Sequence, residues 1–449
     1  MPRKGSKIAY KRPESETWES ATVLGRSGTA KGRNKWWSNI RGENGVLSSL
    51  NMEELDEWGY VDEEALLSHV ESNDVLMAKM RELNNLKQHK VYDEVEDNNM
   101  RKIETTWIIT ESWKKGQKET KARLVARGFQ ERQNKERKDS PTCLKASLRL
   151  TFCMAASKKW IVKILDIKSA FLQGQLIQRD VFLKPPIEAG TSGVWKLRKT
   201  IYGLCDASRQ WYLTAKQSLE NFGAKMSIYD EALFYYQEKG TLRGMIALHV
   251  DDFFYCGDQV FQDKLIRPFK SEYEISKEAE RKFSYIGLEI QQTNDGIVLN
   301  QEKYIDDLGM IDVKGMEDKN EVIAGKKSEE LRSLIGKLLW VSGQTRPDIA
   351  FEVCQLGVNF NKATVNDLKK ANKCVQKLKL QKVSLRFPDL GDLSKIKLLT
   401  YADASFNNLG EGASQGAFIN LVLGENKRYA PLAWQSKKLQ IVVKSPFGS

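Results

Sequence analysis

The sequence is poor in histidine and has no closely paired cysteines. Its 449 residues include only three histidines, which argues against a histidine-rich zinc site. The six cysteines are widely spaced and form no C-x-x-C pair. This spacing is typical of reduced thiols in an intracellular protein rather than of a disulfide framework.

Long apolar segments are also lacking. No uninterrupted apolar run approaches the roughly 18 residues that a membrane span needs, so we expect no membrane partner. The N-terminus, MPRKGSKIAYKRPE, is basic and has no apolar core of a secretory leader. These features predict an intracellular protein of the cytoplasm, the nucleus or both, and not a secreted one.

Positive charge is abundant. Lys and Arg number 71 against 59 Asp and Glu, which gives a net charge of +12. Such a surplus suits a polyanionic partner, because Lys and Arg gain by displacing phosphate counterions. Ordinary solubility from a mixed charged surface is the alternative explanation. The length allows two to four domains, and 41% hydrophobic residues suffice for a sizeable core.

The most informative segment is IALHVDDFFYCG, residues 246–257. Apolar runs on both sides of Asp251 and Asp252 predict a β-hairpin with the two carboxylates at its tip. A second segment, KILDIKSAFLQG at 163–174, places Asp166 near the end of an apolar strand. Adjacent carboxylates repel each other, and a divalent cation relieves that repulsion. Three carboxylates from two strands match a two-magnesium phosphoryl-transfer site, although a DD pair alone is common on exposed loops.

Two further patterns are ambiguous on their own. Lys121, Arg123 and Arg127 follow a strand pattern that would align them as a positive stripe for a triphosphate or a template backbone. The alternative is a solvated edge strand with protective cations. Phe171, five residues after Asp166, taken alone indicates core packing.

Hydrophobic periodicity predicts the remaining elements. Residues 1–45 could form short strands of a small basic barrel or a partly ordered arm, and the acidic residues 46–74 read as a linker with marginal helix. The other predicted elements are a strand-rich segment at 102–132 with a hairpin turn at 114–118, a helix at 147–160, a strand and a long helix within 194–223, a hairpin turning at 294–296, two helices within 328–360 broken before Pro347, a basic helix at 363–380 and a strand at 395–406 that ends at Asp403.

The order of motifs along the chain resembles the reverse transcriptase region of copia-type retrotransposon polyproteins. The resemblance covers roughly residues 75–385. The C-terminal YADAS and WQSKKL are similar to the opening of a ribonuclease H domain, and the first 45 residues, more weakly, to the small basic domain that ends an integrase. The motifs are VARGFQ, DSPT, LDIKSAFLQG, IYGLCDASRQWY, HVDD, YIGLEI, LNQEKYI and GKLLWVSGQTRPDIA.

The resemblance implies an α+β fold of the right-hand polymerase class, with fingers, palm and thumb. It divides the chain into segments with these bounds: 1–45 basic and β-rich, 46–74 acidic linker, 75–310 fingers and palm, 311–390 thumb or connection helices, and 391–449 a partial, truncated ribonuclease H-like α/β piece.

The resemblance also implies a role for individual residues. Asp166, Asp251 and Asp252 would hold two Mg²⁺ ions, which Mn²⁺ could replace. Phe171 matches an aromatic steric gate against the ribose 2′-hydroxyl. The other matched residues are Lys121, Arg123 and Gly203 for the nucleotide, and Arg127, Arg209 and His249 for nucleic acid. The implied partners are an RNA template, a DNA primer and product, and deoxynucleoside triphosphates.

The sequence departs from the family pattern in three places. His249 stands where many relatives have tyrosine, and Cys205, Asp206 and Ser208 replace the usual Lys-Gln and Pro. After Asp403, which resembles the first ribonuclease H carboxylate, only Glu411 and Glu425 remain. Ribonuclease H activity needs about four carboxylates, so we predict that this chain lacks that activity. Arg346 and Asp348 in TRPDIA are predicted to form a structural ion pair.

Two functions are therefore open at this point. The first is an RNA-directed DNA polymerase, and the second is a catalytically inactive, nucleic-acid-binding remnant of a decayed retroelement. A carboxylate-metal nuclease of another fold would explain the aspartates but not the ordered motifs.

Overall fold

The fold was analysed in a computed structural model of the 449-residue chain. The residues that the structure describes are 7–11, 19–26, 37–42, 47–51, 57–60, 73–114, 117–131, 137–191, 193–358, 360–406, 409 and 414–439. They divide into two compact units: Met1–Asn84 with Trp107–Leu124, and Asn85–Thr106 with Val125–Ser449. No described helix combines the length and the apolar character that crossing a bilayer requires.

The first unit contains a five-stranded antiparallel sheet with the order β4-β3-β2-β1-β5. Ala21, Val23 and Ile40 are buried in it. The predicted acidic linker is wrong over β4 and β5, because both strands lie within 46–74. Pairing of β5 with β1 far upstream outweighs the local composition, which favours no strand. The strands are β1 (Lys7–Lys11), β2 (Glu19–Arg26), β3 (Trp37–Gly42), β4 (Leu47–Asn51) and β5 (Glu57–Tyr60).

Helix α1 and a two-stranded hairpin follow. The hairpin of β7 and β8 is confirmed, and along β8 the buried Ala122 and Leu124 alternate with the exposed Lys121 and Arg123. This period of two is that of a strand with one face covered. The bounds are α1 (Asn73–Gln88), β6 (Tyr92–Val95), β7 (Thr105–Lys114) and β8 (Gln117–Ala126).

A six-stranded antiparallel sheet, in the order β12-β13-β14-β15-β9-β16, is the centre of the second unit. β15 is buried on both faces, so its side chains read as a continuous apolar run. Phe254 faces one core cluster with Phe152 of α2, and Phe253 faces another with Trp211 of α3. The elements are α2 (Lys145–Ser157), β9 (Val162–Ile167), α3 (Ala207–Asn221), β12 (Lys225–Met226), β13 (Leu233–Glu238), β14 (Thr241–His249), β15 (Asp252–Gly257) and β16 (Ile275–Glu280).

Two smaller groups of elements accompany this sheet. A three-stranded sheet has the order β10-β11-β6, and a helical stretch with a π-helical turn at Gln262–Ile266 connects β15 to β16. These elements are β10 (Phe182–Leu183), β11 (Val194–Leu197), α4 (Gln259–Phe261) and α5 (Arg267–Glu272).

A second antiparallel sheet has the order β17-β18-β19-β20. The turn predicted at 294–296 is confirmed, because Thr293 pairs with Gly296 across it. A further tight turn, at Ile286 and Gly287, joins the first two of these strands. The strands are β17 (Lys282–Tyr285), β18 (Leu288–Thr293), β19 (Gly296–Asn300) and β20 (Leu385–Pro388).

Four helices pack around a separate apolar core, which includes Leu338, Val353 and Leu368. The predicted break before Pro347 is confirmed, and the basic helix at 363–380 begins with a capping box between Thr364 and Asp367. The helices are α6 (Glu302–Asp306), α7 (Gly325–Gln344), α8 (Ala350–Val358) and α9 (Val365–Leu380).

The last described sheet has the order β21-β22-β23 and packs within the second unit through β23, which contacts α2 and α8. Arg149 of α2 is buried and donates to the carbonyls of Gly343, Gln344 and Leu432 at 2.8–3.0 Å. Its guanidinium lies 3.7 Å from the ring centroid of Trp434. The strands are β21 (Lys397–Ser405), β22 (Gln415–Leu423) and β23 (Tyr429–Lys438).

Candidate active site

The predicted hairpin with carboxylates at its tip is confirmed. His249 pairs with Asp252, so Val250 and Asp251 form a two-residue turn between β14 and β15. Val250 has a φ of 57°, a conformation that costs a β-branched residue about 1–3 kcal/mol. Such strain persists only where surrounding contacts fix the backbone, and it clusters at functional sites.

A row of four polar residues crosses the end of the sheet. His249 on β14 pairs with Asp252 on β15, Asp252 pairs with Asp166 on β9, and Asp166 pairs with Lys277 on β16. Side chains directly opposite each other on antiparallel strands have Cβ atoms about 4.5–5.5 Å apart. Asp166 and Asp252 are therefore neighbours, and Asp251 lies one residue before Asp252 at the turn.

The backbone of the turn is held from two sides. The amide of Ile167 donates to the carbonyl of Asp251 at 3.2 Å, and the indole Nε1 of Trp211 donates to the carbonyl of Val250 at 3.0 Å. On the other flank, the hydroxyl of Ser276 contacts the carboxylate of Asp166 and also its backbone carbonyl, the latter at 3.2 Å. Strand, helix and neighbouring strand thus fix the position of all three aspartates.

Repulsion among the three carboxylates makes the row electrostatically unfavourable when all three are charged. Burial, then the negative charges of Asp251 and Asp166, raise the pKa of Asp252 to about 6, while Lys277 opposes this shift. Burial also lowers the pKa of His249, an effect that the charge of Asp251 partly offsets. His249 is therefore neutral at pH 7 and does not compensate the carboxylates.

The donor set was tested for a fit to a divalent cation. Within the part of the chain that the structure describes, no three or more His, Cys, Asp or Glu side chains already converge as a metal cluster. The charges of Asp251 and Asp166 nevertheless contribute to the raised pKa of Asp252, and carboxylate oxygens are the ligands that Mg²⁺ prefers. By the chemistry of their oxygen atoms, the three aspartates fit a magnesium site.

Phe171 lies beside the aspartates on a single 3₁₀ turn, Ala170–Gln173, after β9. Its ring packs edge-to-face on Tyr202 with 4.9 Å between centroids, and its carbonyl accepts the Thr200 hydroxyl at 3.1 Å. The ring is half-buried and packs against the apolar cluster that contains Trp211 and Phe253.

Gly203 has a backbone role. Its φ is +88°, and a Cβ at this position would lie 2.1 Å from the carbonyl oxygen of Ala126. Gly128 approaches the same loop, because its own Cβ would lie 2.1 Å from the oxygen of Gly203. The two glycines let the VARGFQ and IYGLC segments touch backbone to backbone.

A family model described as "Reverse transcriptase (RNA-dependent DNA polymerase)" matches residues 89–325, just over half of the chain. The chain belongs to this reverse transcriptase family. The family assignment confirms the resemblance that the ordered motifs indicated.

Curated relatives of this reverse transcriptase are Pol polyproteins of plant transposons. The retrovirus-related Pol polyproteins from transposons RE1 and RE2 of Arabidopsis thaliana are each 28% identical over 366 and 365 residues, 76% of this chain. The polyprotein from transposon TNT 1-94 of Nicotiana tabacum is 28% identical over 325 residues, 64% of this chain. The chain spans about a quarter of the length of each, since 24% of each relative is covered.

The basic side chains predicted to bind the nucleotide or nucleic acid, Lys121, Arg123 and Arg127, lie in different environments. Lys121 and Arg123 lie on the exposed face of β8 in the first unit, and Lys121 is 3.8 Å from Glu119. Arg127 follows the strand and forms an exposed ion pair with Glu104 at 2.8 Å. Lys121 and Arg123 share one face of β8, but the predicted stripe does not include Arg127, because the strand ends at Ala126.

Arg209, near the start of α3, lies in a polar network. Its guanidinium is 4.0 Å from Glu231 and lies over the ring of Tyr212 at 5.2 Å. Arg137 binds both Glu231 and Asp139 in a bidentate manner. This network holds Arg209 in a partly buried position.

Two ion pairs account for charged residues that stand out in the sequence. Asp206, the acidic departure from the family pattern, is buried and bonded to Arg179. Arg346 is fully buried and forms a bidentate pair with Asp348, both bonds at 2.8 Å, which confirms the predicted structural ion pair.

The ribonuclease H-like residues are separated from this site in the sequence and exposed. β21 continues two residues beyond Asp403, to Ser405, and Asp403 pairs with Ala417. Glu425 forms an ion pair with Lys395 at 2.9 Å. Glu411 lies outside the described residues.

Sequence reasoning missed four residues of the site: Trp211, Tyr202, Ser276 and Lys277. All four act through pairing or contact between distant segments, which no local pattern reveals. A sequence signal existed for Trp211 and Tyr202, because both fall within the IYGLCDASRQWY motif.

Proposed function

We propose that this chain is the RNA-directed DNA polymerase part of a retrotransposon polyprotein. Its substrates are deoxynucleoside triphosphates, and its partners are an RNA template and a DNA primer that becomes the product. The cross-strand pairing of Asp166 with Asp252, beside Asp251 at a strained turn, carries the proposal. The length of the relatives, about four times the matched segment, fits a piece of a polyprotein.

Right-hand polymerase anatomy provides the framework. In this framework the six-stranded sheet is the palm, residues 75–310 hold fingers and palm, and 311–390 hold the thumb or connection. Support comes from the site's location at one end of that sheet, with separate helices packed on their own core after it. Residues 1–45 would add a basic β-rich segment and 391–449 a partial ribonuclease H-like piece.

Asp166, Asp251 and Asp252 would hold two Mg²⁺ ions, or Mn²⁺ in their place. When bound, the cations would lower the pKa of the primer 3′-hydroxyl and neutralise charge on the leaving pyrophosphate. The protein's own contribution is to keep the three carboxylates together at a fixed sheet edge. The repulsion from Asp251 and Asp166 that contributes to the raised pKa of Asp252 supports this role, because a bound cation would relieve that repulsion.

The remaining residues would position substrates. Phe171, braced by Tyr202, would exclude the ribose 2′-hydroxyl, and Lys121 and Arg123 would bind the triphosphate. Gly203 would bring the backbone of its loop close to the nucleotide, as its positive φ permits.

Nucleic-acid contacts would come from exposed or edge groups. Arg127, Arg209 and His249 are the candidates, since Arg127 is exposed, Arg209 is only partly buried and His249 ends the strand that leads to Asp251. Asp403 would have no catalytic role. Glu425 is the only acidic residue that the structure describes after it, and Glu425 forms an ion pair with Lys395.

Primer extension tests the function directly. The wild-type chain should extend oligo(dT) on poly(rA) with dTTP and Mg²⁺, and Asp251→Asn should abolish extension. Asp295→Asn, which alters an exposed carboxylate in the turn between β18 and β19, is the matched control and should leave the rate unchanged.

The outcome separates the two candidate functions. Robust extension by the Asp251→Asn variant would contradict the assignment of the carboxylate. A wild-type chain that binds the template–primer but adds no nucleotide would instead identify an inactive nucleic-acid-binding remnant.

A further inference from the structure

The turn that carries Asp251 has an unusual first residue. A two-residue hairpin turn with positive φ at its first central position normally has glycine there. This chain has Val250, whose branched side chain disfavours a φ of 57°. An interaction outside the turn must therefore hold Val250 in place.

Trp211 supplies that interaction. Its ring is fully buried in α3, and its Nε1 donates to the carbonyl of Val250 at 3.0 Å, although the two residues are 39 apart in sequence. Tyr273 packs on the indole at 83°, with 5.4 Å between ring centroids. The ring is thus fixed, and burial leaves water no access to replace its N–H.

The neighbouring carbonyl of the same turn is held from the opposite direction. Asp251 accepts from the amide of Ile167, the residue after Asp166. The helix therefore holds the first half of the turn, and the strand that bears Asp166 holds the second. Losing the helical contact would release Val250 and let Asp251 swing away from the other two carboxylates.

We propose that Trp211 is a positioning residue whose indole N–H sets the affinity of the three aspartates for divalent cations. The inference rests on the proposed function, because it concerns the same cation site. Trp211 touches neither substrate nor metal and acts only through the backbone of Val250.

The test is Trp211→Phe, which keeps an aromatic ring and removes the N–H. In primer extension, the Mg²⁺ concentration for half-maximal rate should rise about tenfold, the size expected from one lost buried hydrogen bond. The rate at saturating Mg²⁺ should recover most of the wild-type value. Calorimetric titration with Mn²⁺, which needs no turnover, should show binding weakened by a similar factor.

A second substitution distinguishes positioning from general damage. Val250→Gly in the Trp211→Phe background removes the strain that the indole opposes, because glycine adopts positive φ readily. It should bring the Mg²⁺ requirement back toward the wild-type value. An unchanged Mg²⁺ requirement in Trp211→Phe, with only a lower melting temperature, would overturn the proposal.

Trp195→Phe is the matched control. Trp195 is also buried and stacked on an aromatic ring, at 3.9 Å from Tyr92, but its Nε1 has no hydrogen-bond partner among the described residues. The same chemical change there should leave Mg²⁺ and Mn²⁺ binding unaltered. If the wild-type chain binds Mn²⁺ but does not polymerise, the proposed function fails, while the calorimetric comparison still decides the role of Trp211.

Discussion

Phe171 packs edge-to-face against Tyr202, with 4.9 Å between the ring centroids and 68° between the ring planes. The contact joins the turn after β9 to the loop before α3. It fixes the orientation of Phe171 next to the strand that bears Asp166, and the backbone of Phe171 is held in addition by Thr200. The discrimination between sugars should therefore depend on both rings.

Phe171→Ala should raise the incorporation of ribonucleotides relative to deoxynucleotides about ten- to hundredfold, the range that one steric contact in a pocket provides. Tyr202→Ala should give a smaller rise, because Phe171 remains but loses its brace. Competing single-nucleotide incorporations would measure the ratio of kcat/KM values. Tyr429→Ala, an exposed aromatic in the last sheet, serves as control, and an unaltered ratio in Phe171→Ala would remove the gate role.

Gly203→Ala should destabilise the fold far more than Gly240→Ala. Both glycines have positive φ, +88° and +77°, so alanine costs about 1 kcal/mol of conformational strain at either position. At Gly203 alone the added Cβ collides with the backbone of Ala126, whereas nothing lies within 4 Å at Gly240. Urea unfolding should show an additional loss of about 2 kcal/mol or more for Gly203→Ala; equal losses would contradict the close approach.

Asp252→Asn should stabilise the metal-free protein at neutral pH. Folding raises the pKa of Asp252 to about 6, above its unfolded value near 3.9. The folded state therefore binds more protons between these two values, and stability falls as the pH rises from about 4 to 6. The variant should gain about 1–2 kcal/mol at pH 7.5, after allowance for solvent screening, and little at pH 4. Thermal unfolding with EDTA at both pH values checks this, and a gain of equal size at pH 4 would refute the electrostatic cause.

Arg149→Met should cost about 2–4 kcal/mol of folding free energy. The substitution leaves three carbonyls without their donor, that of the buried Gln344 among them, and removes the stacking on Trp434. Arg267→Met, in an exposed pair with Asp263, should change stability by no more than about 0.5 kcal/mol. Hydrogen exchange should localise the damage to β23 and the end of α7; a purely global effect would argue against a local clamp.

The elements that sequence alone predicted correctly are those with local causes. The alternating apolar residues around Asp251 fix a hairpin, Asn294-Asp295-Gly296 fixes a turn, and Pro347 ends a helix. Each depends on the intrinsic conformational preference of neighbouring residues. The position of Asp166 at a strand end followed in the same way.

The rest depends on contacts between distant segments. The composition of β5 predicts a linker, because only the pairing of β5 with β1 makes it a strand. The register that places Lys277 opposite Asp166 follows from the path of the chain after β15, not from the residues themselves. For Asp206, the acidic side chain was visible in the sequence, but its partner Arg179 was not.

The docking of the last sheet limits how the polypeptide can be trimmed. Val422 and Ala430 belong to the same apolar cluster as Phe152 and Phe254, directly behind the aspartate-bearing strand. Truncation near residue 390 would expose that apolar surface to water. A recombinant protein truncated there should precipitate or require detergent. Any shortened form of this chain must keep the polypeptide through β23.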